Sequence, residues 1–414
     1  MSTRFRALQH RNFRLFFAGQ LISLIGTWMQ STAQLWLVYR LTRSAALLGV
    51  FAFANQIPIL LLSSFGGYIA DRFDRRKGVL WTQTISAILA FALAALTLPG
   101  IERVWEIILI AFLAGTVNAF DVPIRQAFLV QMTGKDDLPN AIALNSSIFN
   151  GARVVGPALA GFAIAWVGEG WCFFINGVSF LAVIAALLMM RIERAAPRPA
   201  EGSPLQNLLQ GFRYAMNDQP MRSALLLLSL LSMAGLQYSV LMPIFANDVL
   251  HRGARGLGLL MSFAGVGAVL GALHFAARTN YKNIVHWIGA ASVTCSLGLI
   301  LFSQSRLFPL SAALLLIIGF AVTSQMAATN TIVQLRVPDH LRGRVMAVYA
   351  TMFMGVQPLG ALLVGGVARR MGAPHALALF GSVCLLGSLL FIFREVARPQ
   401  LPQTSADAQA GLGR

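Results

Sequence analysis

Gly66-Gly67-Tyr68-Ile69-Ala70-Asp71-Arg72-Phe73-Asp74-Arg75-Arg76-Lys77 ends in a run with six charges in seven residues, and it is flanked by long apolar runs on both sides. A polar stretch this short between membrane-length segments predicts a tight loop, the tip of a transmembrane hairpin. Four of the six charges are basic. Short basic loops stay on the cytoplasmic side, so the same residues also orient the chain.

The composition around this tip agrees with a membrane protein. The 414 residues are 57% hydrophobic and only 11% charged, with a mean hydropathy of +0.69; soluble domains average about 45–50% apolar and about 25% charged. Apolar runs fall near 13–39, 45–68, 78–98, 104–131, 141–166, 171–190, 221–247, 256–277, 285–303, 308–333, 345–368 and 374–393. Each is long enough to cross a hydrocarbon core of roughly 30 Å as a helix. Twelve transmembrane helices in an all-α protein are therefore expected, and a β-barrel, which would alternate over about 10 residues, is excluded. The net charge of +17 does not indicate nucleic acid, because the basic residues sit in short segments between spans, where they set topology and meet phospholipid. Cys172, Cys295 and Cys384 all lie in apolar runs without ligand spacing, so they read as small buried residues. The apolar run after Arg14 is as long as a full span, so no cleaved signal peptide is expected.

Threading from a cytoplasmic N-terminus puts about 22 Lys and Arg on the inner side and about eight outside, which predicts both termini in the cytoplasm. The longest connection contains Pro197, Pro199, Gly202 and Pro204 and divides the chain. It predicts a first six-helix bundle over 1–190, a cytoplasmic linker over 191–220, a second bundle over 221–394, and a disordered cytoplasmic tail over 395–414. Within the linker, Leu205, Leu208, Leu209, Phe212 and Met216 have helical spacing opposite Gln206, Gln210 and Arg213, as in a helix lying on a membrane surface. The two halves repeat in parallel. A shift of about 203 to 204 positions brings Val130-Gln131, Leu138, Gly156, Gly161 and Gly168 onto Val333-Gln334, Leu341, Gly360, Gly365 and Gly372. Repeated six-span units point to a transporter that rocks one bundle against the other around a midplane site.

Several motifs carry a family resemblance. Gly67 to Arg76 resembles the G-x-x-x-D-R-x-x-R-R signature between the second and third helices of the major facilitator superfamily, with Asp74 where that loop usually has glycine. Gly151-Ala152-Arg153-Val154-Val155-Gly156-Pro157-Ala158-Leu159-Ala160-Gly161 is similar to the fifth-helix motif of its proton-coupled exporters. His10-Arg11-Asn12-Phe13-Arg14-Leu15-Phe16, Asp121-Val122-Pro123-Ile124-Arg125-Gln126-Ala127 and Leu341-Arg342-Gly343-Arg344-Val345 resemble the branch that holds the enterobactin exporter and macrolide efflux pumps. The second half has only Arg278-Thr279-Asn280-Tyr281-Lys282 at the equivalent loop, so a matching charge clamp is not expected there.

Read physically, the signature can act as a latch. Gly66 and Gly67 allow close helix packing, and Asp71 can sit at the positive N-terminal end of another helix; the resemblance implies the start of the eleventh. Gly67, Asp71, Arg72, Arg75 and Arg76 would then hold the inner gate shut; otherwise the loop only orients the chain. Asp121 is the one carboxylate well inside a span, with Arg125 a turn later on the same face, and charges at that depth are costly and usually functional. Asp121 is either a proton carrier, charged beside Arg125 and protonated on separation, or, as the resemblance implies and its reach to the loop favours, a relay paired with Arg75. Arg153 either binds an anionic substrate group or pairs with Asp121. Pro157 kinks its helix, while Gly156 and Gly161 permit close packing, with a coupling role or plain packing both open.

Polar stripes are the candidate cavity walls: Gln20, Ser23, Thr27, Gln30 and Gln34 on the first helix, and Asn118 with Asp121 and Arg125 on the fourth. Thr323, Met326, Asn330 and Gln334 on the tenth helix and, more weakly, Met233, Gln237 and Tyr238 on the seventh complete the set. A polar edge on an apolar helix faces protein or water, and the resemblance implies that the first, fourth, seventh and tenth helices line the cavity; interhelical hydrogen-bond glue is the alternative. No P-loop, G-x-S-x-G or H-E-x-x-H occurs, so no enzyme, cofactor or metal site is expected and any work must come from a gradient. The expectation is a monomeric secondary transporter in a bacterial inner membrane, with contacts to lipid but not to nucleic acid, that exports a bulky amphipathic small molecule, drug or siderophore, by proton antiport. A lipid or lysophospholipid flippase and a non-transporting sensor or scaffold are the alternatives.

Overall fold

The computed structural model of the protein describes residues 3–134, 136–190, 204–278, 280–281 and 283–396, and among these no β-strand occurs. The linker residues 191–203 and the tail from 397 lie outside the described residues, as do the side chains of Asp71 and Leu205. Six long helices come first: α1 (Arg11–Thr42), α2 (Ala45–Arg72), α3 (Arg75–Thr97), α4 (Val104–Thr133), α5 (Leu138–Val167) and α6 (Glu169–Met189). A linker helix, Pro204–Asn217, precedes α7 (Gln219–Val249), α8 (Gly253–Ala276), α9 (Ile284–Gln304), α10 (Phe308–Arg336), α11 (Asp339–Met371) and α12 (Ala373–Glu395). Eleven of these, α2 to α12, have both the length and the hydropathy of a membrane span. The 32-residue α1 has the length, and its polar stripe is what dilutes its hydropathy.

The hairpin tip is tighter than its charge run implied. Helix α2 continues through Gly66 to Arg72 and α3 begins at Arg75, so Phe73 and Asp74 alone turn the chain. The first N–H groups of a helix lack partners within it, and the Asp74 side chain accepts the Lys77 N–H at 3.1 Å. The aspartate that departs from the signature thus caps α3. Arg76 donates to the Leu187 and Leu188 carbonyls at 2.8 and 3.1 Å, satisfying the negative end of α6.

The glycine repeat has a structural counterpart. Gly156 of α5 abuts α1, where a Cβ would lie 3.0 Å from the Ile25 carbonyl oxygen, and Gly360 of α11 abuts α7 at the Met233 carbonyl. One turn on, a Cβ on Gly161 would lie 3.1 Å from Gly258 Cα of α8, and one on Gly365 would lie 3.0 Å from Gly49 Cα of α2. Helices α5 and α11 therefore perform the same two jobs, one within their own half and one across to the other. Gly168 and Gly372 then end them with φ of 87° and 84°, a conformation in which a Cβ would be strained.

Replacing Gly161 with Leu is expected to cost about 1–3 kcal/mol through overpacking. Gly151→Leu, at a position with nothing within 4 Å, should leave the melting temperature in detergent nearly unchanged.

Candidate substrate cavity

A cavity of about 1470 Å³ opens between the two halves. Its first-half wall carries the whole α1 stripe, Gln20, Ser23, Thr27, Gln30 and Gln34, together with Asn118, Asp121 and Arg125 of α4. Facing them on α11 are Ala347, Ala350, Thr351, Met354 and Gly355. Leu208 of the linker helix, Phe65, His340 and Arg344 also line it, at the end where the linker helix lies. The linker helix is bound to α11: a Cβ on Gly211 would lie 2.6 Å from the Arg344 carbonyl carbon, and Arg344 donates to Gln210 Oε1 at 2.5 Å.

The other end is closed by polar contacts between the halves. Tyr39 near the end of α1 donates to Asp248 Oδ1 of α7 at 2.5 Å. Its hydroxyl accepts from Arg43 at 2.9 Å and from Asn247 at 3.0 Å, and Arg43 lies 3.4 Å from Asp248. Beside this cluster, Arg40 joins Glu102 at 3.0 Å and Glu169 at 2.7 Å. Sequence reasoning missed this closure, since charges at span ends read as orientation signals and Tyr39 and Asp248 are 209 positions apart. Tyr39 and Arg43 together at the end of α1, with Asn247-Asp248 at the end of α7, the matching first helices of the two halves, were the available signal.

Asp121 is 4% exposed, and both of its carboxyl oxygens have partners. Thr82 and Gln83 of α3 donate to Oδ1 at 2.6 and 3.0 Å. Arg125 stands 3.3 Å from Oδ2 and also donates to Gln20 Oε1 at 3.2 Å. A polar chain Gln83–Asp121–Arg125–Gln20 thus ties α3, α4 and α1 together. It ends in two buried atoms without a hydrogen-bond partner among the described residues, Gln83 Oε1 and Gln20 Nε2; Gln34 Nε2 is a third.

The remaining sequence-derived candidates are spread more widely. Arg75 reaches the Ala127 carbonyl at 3.4 Å, Arg72 is exposed, and Gly67 faces open space while Gly66 packs on α4 at Ala119 and Phe120. The Arg153 guanidinium stands 5.9 Å from the centre of the Trp28 ring. Pro157 is buried and its carbonyl meets α8 at Gly258. On α10, Met326 borders a separate pocket of about 10 Å³, Asn330 accepts from Gln334 at 2.5 Å, and Thr323 is half-buried. Gln237 is buried and donates to the Ser232 carbonyl at 3.0 Å. In this conformation α11 and the linker helix, not α7 and α10, supply the second half's described share of the large cavity. Wide π turns interrupt α7 at Leu231–Gly235 and α11 at Thr351–Gly355, and Ser232 Oγ bonds the Phe353 carbonyl between them.

A family model described as transmembrane secretion effector matches residues 2–411. The staphyloferrin A transporter of Staphylococcus aureus is 27% identical over 391 residues, covering 92% of this chain and 96% of its own. The multidrug efflux pump Tap of Mycolicibacterium fortuitum is 28% identical, covering 85% and 88%. The enterobactin exporter EntS of Citrobacter koseri is 24% identical, covering 96% and 95%. Among solved structures, a bacterial homolog of the human lysosomal transporter Spinster, inward-facing and unoccupied, superposes with a TM-score of 0.71 at 14% identity over 95% of this chain and 97% of that one. A POT family transporter in complex with 5-aminolevulinic acid gives 0.74 at 11% over 94% and 96%. These two establish the fold.

Arg125→Leu leaves a buried carboxylate without its counter-charge and is expected to cost roughly 3 kcal/mol. Adding Asp121→Asn should recover much of that loss, measured as a double-mutant cycle on thermal unfolding.

Proposed function

The chain belongs to the transmembrane secretion effector family of major facilitator transporters, and we propose that it exports a bulky amphipathic small molecule, a drug or siderophore, across a bacterial inner membrane in exchange for protons. The observation that carries this reading is a large amide- and aromatic-lined cavity, open beside the linker helix and closed at the other end. With both termini and the linker helix in the cytoplasm, its mouth faces inward, ready to load. The protein works as a monomer in contact with lipid, and its basic inner residues meet phospholipid head groups.

Export then requires the Tyr39–Asp248–Arg43 cluster to part and the inner mouth to close. Asp71, Arg72, Arg75 and Arg76 around Gly67 act as the inner latch once α11 approaches, and Asp121 relays that closure through Arg125 and Gln20 to the cavity wall. Arg153 and Gly156 couple α5 to α1 at Trp28, while Pro157 and Gly161 carry the movement to α8. Turns of π type loosen the i to i−4 ladder and concentrate at functional sites, which suits α7 and α11 as the bending elements.

Cells lacking other efflux pumps should accumulate less of a transported drug or siderophore when the chain is expressed, and a protonophore should abolish the difference. Persistence of export after the gradient collapses would exclude antiport. The closure is tested by Tyr39→Phe with Asp248→Ala in a Ser31→Cys background. Residue 31 lines the cavity and the three native cysteines are buried, so labelling by an impermeant thiol reagent from outside should rise severalfold.

A further inference from the structure

The charges around the cavity point to a substrate class. Among the described residues that line it, Asp121 is the one carboxylate, against Arg125 and Arg344 and the titratable His340. Asp121 has no charge to spare. One of its oxygens is held by Thr82 and Gln83 and the other faces Arg125. Arg344, by contrast, is bonded to the neutral amide of Gln210. A positive surplus is left along a cleft with mostly apolar walls, and low-dielectric walls focus such a field on what enters.

The aromatic wall does not reverse this balance. An indole face is the best side-chain platform for a cation, but the Arg153 guanidinium already stands over Trp28, and Phe149 meets that ring edge-on at 5.7 Å. A permanent cation entering the cavity would lose part of its hydration and find no free carboxylate among the described lining residues to replace it. An anionic or neutral solute rich in oxygen meets better partners. Among residues that line the cavity, Gln20 Nε2 and Gln34 Nε2 are donors without partners and Gln83 Oε1 is an acceptor without one, so the amides suit a hydrogen-bonding solute and the balance of charge decides its sign.

Resting on the export reading above, we propose that the cavity selects anionic or neutral, hydrogen-bond-rich amphiphiles and discriminates against lipophilic cations. Tetraphenylborate and tetraphenylphosphonium test this, because they share size and shape and differ in the sign of charge. Binding to the purified full chain in a neutral detergent would be followed by tryptophan fluorescence, with the cavity-specific part defined as that lost on Ala347→Trp, which fills the space. The borate should bind about tenfold more tightly than the phosphonium, a difference of the size of one modest charge contact. Arg344→Gln should shrink that ratio, and Ala350→Glu, which adds a carboxylate on the facing wall, should reverse it. Equal or tighter binding of the phosphonium by the wild-type chain overturns the proposal, as does cavity-specific binding of neither ion. Efflux under a proton gradient is scored separately: its absence together with a retained preference for the borate would sink the export reading and leave the charge selectivity standing.

Discussion

Hydrocarbon offers no partner to a polar group, so each polar side chain in a span has to find one in protein or in a water-filled space. Much of the molecule's organisation follows from that constraint. Asp121 and Arg125 on α4 find partners at depth because α3 supplies Thr82 and Gln83 and α1 supplies Gln20. The same stripe that brings Gln20 to the ion pair brings Thr27, Gln30 and Gln34 to the cavity wall. Internal satisfaction and the cavity lining thus share one helix face, which is why the first half carries most of the polar wall.

The second half contributes differently. Its wall comes from α11, which is short of side-chain bulk at Ala347, Ala350 and Gly355 and interrupted by a π turn. The linker helix is fastened to the start of that helix by backbone contact at Gly211 and by Gln210. One half therefore presents a polar surface, and the other a smoother one on a helix whose regular ladder is interrupted by a π turn. The cavity is asymmetric even though the fold repeats.

How legible this was depended on the range of the interaction involved. Spans were readable because hydropathy over some twenty residues is a local sum, and α1 and α4 because polar residues at helical spacing can have only a few explanations. The glycine repeat was readable too, since two backbones approach only where no Cβ intervenes. Asp74 was harder: a dense charge run reads as loop, while here most of it is helix with one aspartate capping α3. On α10, the same polar pattern serves contacts such as Gln334 to Asn330, and rotation about a helix axis is set by neighbours that spacing does not reveal. Tyr39 and Asp248 meet only because two helix ends converge, and their matching positions at the ends of α1 and α7 show it only once the repeat is known.

The crossings at Gly161 with Gly258 and at Gly49 with Gly365 behave like plain bearings. Interlocked side chains would give a ratchet, with each step of rotation costing the withdrawal of knobs from holes. Bare backbone against bare backbone has no teeth. Two such surfaces, related by the internal repeat, hold the halves close together without interlocking side chains, so polar contacts between the halves, such as Tyr39 with Asp248, are left to do the locking. The wear surface and the lock are thereby made by different residues, and the timing of the cycle can be altered at the lock without rebuilding the axle.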